Sequence, residues 1–148
     1  MYIWTLHFHS ALRYIVLFLL LIVVLKSFTA WRNNKPFTKG DNIFSLLLLI
    51  STHTQLLLGL LLYYLSPFVQ FSGSTMKDAG TRYWTVEHIF GMLIAVALIT
   101  VARTSQKKLP TDTARHKRLF ILNGIALLII IIIIAASGRG LFGMTGLG

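Results

Sequence analysis

Four apolar blocks, residues 12–31, 43–65, 83–102 and 119–136, dominate the sequence. Each falls within the roughly 17–25 residues that a helix uses to cross a hydrocarbon core. Lipid offers the backbone no hydrogen-bond partner, so segments of this kind must be helical. The connections are short, which favours antiparallel neighbours. The expected fold is all-α: an integral membrane, up-down four-helix bundle in which residues 1–148 form a single transmembrane domain. Charged residues make up 12% of the chain, about half the share of a soluble domain. The linkers leave no room for a separate soluble domain.

The net charge of +10 does not mark a nucleic-acid protein, because the charge follows topology. Lys26, Arg32, Lys35 and Lys39 cluster around the first connection. Arg103, Lys107, Lys108, Arg115, Lys117 and Arg118 lie in or beside the third. Together these are ten of the 14 basic residues, all on one side. Lys77, Arg82 and Arg139 fall on the other side, and Arg13 lies within the first helix. The bias places the two basic connections in the cytoplasm and both termini outside, as expected of a multi-pass membrane protein. The N-terminal block has no basic region before it and no small-residue cleavage site after it, so it is expected to be retained. The absence of cysteine excludes disulfides, thiolate metal sites and thioether-linked haem.

Local signals set the expected boundaries. Helix one should run from near Ile3 to Trp31. Helix two should run from Asn42 to the Ser66-Pro67 stop, with 67–81 as the longest loop. Helix three should run from Tyr83 to Arg103. Helix four should start near Asp112 after the Leu109-Pro110 break, and a glycine-rich tail follows 136. The 127–134 run reads as lipid-facing filler.

An ionisable side chain within a span is costly and marks a candidate site. The candidates are His7, His9 and Arg13 on helix one, His53 on helix two, and Glu87 and His88 on helix three. Depth can be counted from the basic end at ~1.5 Å per residue. Taking Asp41, Arg103 and Trp31 as origins, His53 lies ~18 Å up, His88 ~22 Å and His9 ~33 Å. His53 and His88 are then nearly level, and two level imidazoles on antiparallel helices can be the axial ligands of a haem b. Gly91, Ala95 and Ala102 share a face near His88 and would leave room for a porphyrin; such a stripe equally serves helix–helix contact. Arg13 lies one turn from His9 and can hold a propionate. Alternatively, His7, His9 and Arg13 snorkel to the headgroups. A rival pairing joins His9 to His88 and needs helix one to sit lower than the count assumes. Glu87 can pair with Arg82 or Arg13. His116, in a basic run, reads as a solvated or headgroup-facing side chain.

The segments His7-Phe8-His9-Ser10-Ala11-Leu12-Arg13-Tyr14, Thr52-His53-Thr54-Gln55-Leu56-Leu57-Leu58-Gly59 and Thr85-Val86-Glu87-His88 resemble those of small four-helix bacterial membrane proteins labelled cytochrome B. The likeness covers nearly the whole chain, and the layout is similar to that of cytochrome b561-type bundles. The resemblance implies a b-type haem and electron transport, with His53 and His88 as iron ligands and His9 in reserve. Membrane quinol and other membrane subunits are the partners this implies. Two other readings stand beside it. One is a non-catalytic accessory subunit of a larger membrane complex. The other is a metal-handling protein that uses His7, His9, His53, Glu87 and His88.

The topology yields a direct expectation. A reporter fused after Gly148 should be active only outside the cytoplasm; cytoplasmic activity of that fusion would reverse the orientation.

Overall fold

The computed structural model describes residues 2–65, 82 and 86–136. Four helices account for most of them: α1 Tyr2–Arg32, α2 Lys39–Leu65, α3 His88–Gln106 and α4 Asp112–Ala136. All four are long and apolar enough to cross a membrane. No strand occurs among the described residues. The expected 67–81 loop, the start of helix three at Tyr83 and the glycine tail lie outside the described residues.

The helix ends follow from side-chain chemistry. α1 closes with Asn34 in the left-handed region, φ 52°, and Lys35 N–H reaches back to Ala30 O at 3.0 Å. That is the Schellman motif by which many helices end, with asparagine in the usual place of glycine. Thr38 then caps α2, which starts at Lys39, three residues earlier than the turn composition suggests. Thr38 N–H donates to Asp41 Oδ2 (2.9 Å) and Asp41 N–H donates to Thr38 Oγ1 (3.2 Å). This reciprocal cap satisfies two backbone donors that the first turn leaves open. α4 starts on Thr111, whose Oγ1 accepts from Ala114 N–H at 3.2 Å, with Asp112 in the first turn, where the helix dipole favours an anion.

Contacts between helices fix the topology. Lys26 meets Asp41 at 3.8 Å at the basic end of α1 and α2, and Gln55 reaches the His9 carbonyl near their other ends. Arg103 of α3 binds Asn42 and Ser45 of α2. Arg118 of α4 binds Ser105 of α3 at 3.0 Å, and Phe120 of α4 packs on Phe28 and Trp31 of α1. Each neighbouring pair is therefore antiparallel, and the four form a ring, α1–α2–α3–α4. The α2–α3 seam is the most loosely packed of the four.

The core is an apolar plug of Val16, Leu20, Val23, Leu48, Ala95, Ile99, Ala126, Ile130 and Ile134. Outward faces are also apolar: Phe18, Leu57, Phe90 and Ile132 are all more than 60% exposed. A bundle apolar on both faces suits lipid as its solvent. The 127–134 run is only partly filler, since Ile130 and Ile134 are buried while Leu128, Ile131 and Ile132 face out. Helical periodicity divides a uniform run between core and surface.

Small residues on α3 admit α4. A Cβ placed on Gly91 would stand 2.6 Å from Ile133 Cγ1 and Cδ1. The stripe of Gly91, Ala95 and Ala102 is thus packed against neighbouring helices, and Ile133 occupies the space that the sequence offered to a porphyrin. Gly91→Leu should destabilise the bundle by about 1–3 kcal/mol through overpacking. Adding Ile133→Ala should recover most of the loss in a thermal-unfolding cycle; independent, additive effects would show that the two residues do not touch.

Candidate functional site

At the end of the bundle opposite the basic connections, α1, α2 and α3 bring a polar group inside. Thr5, His9, Ser10 and Arg13 of α1 are all buried. They recur at helical spacing and so share the inward face. His88 begins α3 and is half-buried. The two residues before it, Val86 and Glu87, are wound wider, as a π-turn, a form frequent at functional positions. The charge of His88 reaches His9, and that of Arg13 reaches both imidazoles. His9 and His88 come from helices diagonal in the ring and lie within electrostatic range of each other and of Arg13.

α2 supplies the floor. Gln55 Nε2 donates to the His9 carbonyl oxygen at 2.9 Å. Gly59, one turn on, lies against the His9 ring, and a Cβ there would stand 3.3 Å from Nε2. Among the described residues neither His9 Nδ1 nor Gln55 Oε1 has a hydrogen-bond partner. Arg13 packs over Tyr14, 4.9 Å from its ring centre, and donates to its hydroxyl at 3.1 Å. Buried within the bundle, Arg13 does not snorkel to a headgroup. Glu87 takes Arg82, at 2.7 Å, as its partner.

The helix contacts correct the depth count. Lys26, not Trp31, is level with Asp41, so α1 overshoots by more than a turn. From Lys26, His9 lies ~26 Å up, and Gly59 lies ~27 Å above Asp41. Arg103 touches Asn42 and Ser45, up to one turn above Asp41, which lifts His88 to about the same height. His53 sits roughly one and a half turns lower, exposed, with Nε2 2.9 Å from Thr100 Oγ1. His53 is therefore engaged by Thr100 below the level of His88, whereas His9 lies at about the height of His88. No group of three His, Asp or Glu side chains able to hold a metal ion forms among the described residues.

A second polar group fills the basic end. Ser27, Ser45, Arg103, Gln106, His116 and Asn123 are buried there. His116 is fully buried, against the expectation of a solvated side chain. Its Nε2–H points at Pro36 O (3.3 Å), and Phe37 covers it at 5.3 Å between ring centres. His116, Leu119, Asn123, Ala126 and Ile130 share one helical face, so the buried stripe of α4 simply continues past its apolar block. Asn123 and Gln55 were both legible as amides interrupting apolar runs.

Comparison of the chain with protein-family models, curated proteins and solved structures returned no match.

Because His116 ties the 33–38 connection to α4, His116→Ala should destabilise the fold by about 2–4 kcal/mol. A melting temperature unchanged by the substitution would mean that His116 is solvated after all.

Proposed function

We propose that the protein is a b-type cytochrome of the bacterial cytoplasmic membrane, with both termini outside, that binds haem b between His9 and His88. The observation that carries this reading is that two imidazoles at about one height lie within electrostatic range of each other and of a buried arginine. The residues fit the group. His9 Nδ1 has no hydrogen-bond partner among the described residues, and the lack of a side chain at Gly59 lets the imidazole pack closely on α2. Arg13 offers a guanidinium fork for a propionate. Gln55 fixes the α1 backbone at His9 from the neighbouring helix. Haem held by two histidines has no open coordination position and exchanges single electrons. The electrons would pass between a membrane quinol and a partner oxidoreductase.

This choice adopts the rival pairing and gives His53 and Gly91 other work. Thr100 engages His53, and Ile133 packs on Gly91. The chain's own groups prepare the site: inward-facing polar residues exclude lipid from it, and the apolar plug below separates it from the basic end. The metal-handling reading lacks a three-ligand group among the described residues. The accessory-subunit reading gives no account of an arginine buried beside two imidazoles.

Single substitutions decide the ligands. His9→Ala and His88→Ala should each abolish the low-spin haem spectrum of the purified protein or leave a high-spin remnant. His53→Ala should retain it. A colourless His53→Ala beside a red His9→Ala would restore the His53–His88 pair instead.

A further inference from the structure

His53 faces outward from α2, ~18 Å above Asp41. That is near the middle of a hydrocarbon core about 30 Å thick. An imidazole turned toward lipid there is costly, so its hydrogen bonding is informative. Its Nε2 lies 2.9 Å from Thr100 Oγ1. The Thr100 hydroxyl hydrogen is already given to Val96 O, at 2.8 Å. The hydroxyl oxygen must therefore accept, and His53 Nε2 carries the hydrogen. Nδ1 is left as a bare acceptor, and no donor among the described residues reaches it. Acyl chains carry no donor either. Ile50 and Leu57, about one turn either side of it on α2, are exposed, as is Leu93, two turns from Thr100 on the same face of α3, and the α2–α3 seam is the loosest of the bundle.

We propose that His53, held in this tautomer by Thr100, docks a lipid-soluble quinol. A phenolic hydroxyl of the quinol donates to Nδ1, and its ring and tail lie along Leu57 and Leu93. Hydrogen-bond polarity selects the ligand. Phospholipid headgroups lie some 10 Å or more away at this depth. A quinone presents only carbonyl acceptors, which a bare nitrogen cannot bind. The site therefore takes the reduced carrier in preference to the oxidised one. The proposal deepens the electron-carrier reading by naming where the donor sits, and the two fail separately, because different histidines carry them.

The test uses the full chain with 15N-labelled histidine in phosphatidylcholine nanodiscs, titrated anaerobically with decylubiquinol and, separately, decylubiquinone. The His53 Nδ1 resonance should move to a hydrogen-bonded position with the quinol and stay in place with the quinone. His53→Phe should bind the quinol about tenfold more weakly or worse while keeping the low-spin haem spectrum. Thr100→Val, which frees the tautomer, should erase the preference for the reduced form. Equal responses to both redox forms, or none to either, would overturn the proposal. So would a Nδ1 already hydrogen-bonded in quinol-free nanodiscs, which would mean that a protein segment covers it. Loss of the low-spin spectrum in His53→Phe would make His53 an iron ligand and also overturn it. A colourless wild type with the Nδ1 response intact would support the docking site and sink the haem reading alone.

Discussion

Polar groups in this bundle have to find partners within the protein, because its outer faces are apolar almost throughout. An unpaired polar group in such surroundings costs several kcal/mol. That constraint explains the internal order. Hydroxyls of Ser27, Thr52, Thr54 and Thr104 donate to carbonyls one turn back on their own helices. Arg103 spends its guanidinium on Asn42 and Ser45 of the next helix. Larger polar side chains gather in two interior groups, one toward each end, and Leu20, Leu48, Ile99 and Ala126 fill the space between.

The two groups do different work. At the basic end, residues of α4 hold both connections: His116 meets the Pro36 carbonyl, while Arg115 donates to Leu109 O at 3.1 Å and lies over Phe37. The effect is to fix the register of the helices. Register at one end sets which residues are level at the other, so Lys26–Asp41 and Arg103–Ser45 together bring His9 and His88 to about one height. The site is positioned by contacts some 25 Å away along the helices.

Much of the fold was legible in the sequence, because apolar blocks of spanning length leave few alternatives to four helices. The start of α4 near Asp112 and the turn after α1 were legible because their chemistry is local, although Thr111 and not Asp112 supplies the cap. The relative height of the histidines was not legible, for one reason: it depended on the origin chosen for α1. Trp31 looks like an interface anchor, and in the structure it does stack with Phe28 and Phe120 near the end of the bundle. Yet the level of Asp41 is marked by Lys26, and the five-residue difference moved His9 by more than a turn. His116 was misread because a basic neighbourhood in sequence says nothing of a helix face, and its face continues that of Leu119 and Asn123. Gly91 showed space without showing its occupant, which comes from Ile133, 42 positions away.

The central claim is that two histidines from α1 and α3 close a haem site inside the bundle. Haem quantitation of the purified wild-type protein, read together with its reduced visible spectrum, tests it most directly. The account predicts one b-type haem per chain with the sharp α and Soret bands of a low-spin centre. A colourless protein, folded and fully helical after expression with ample haem supply, would contradict it.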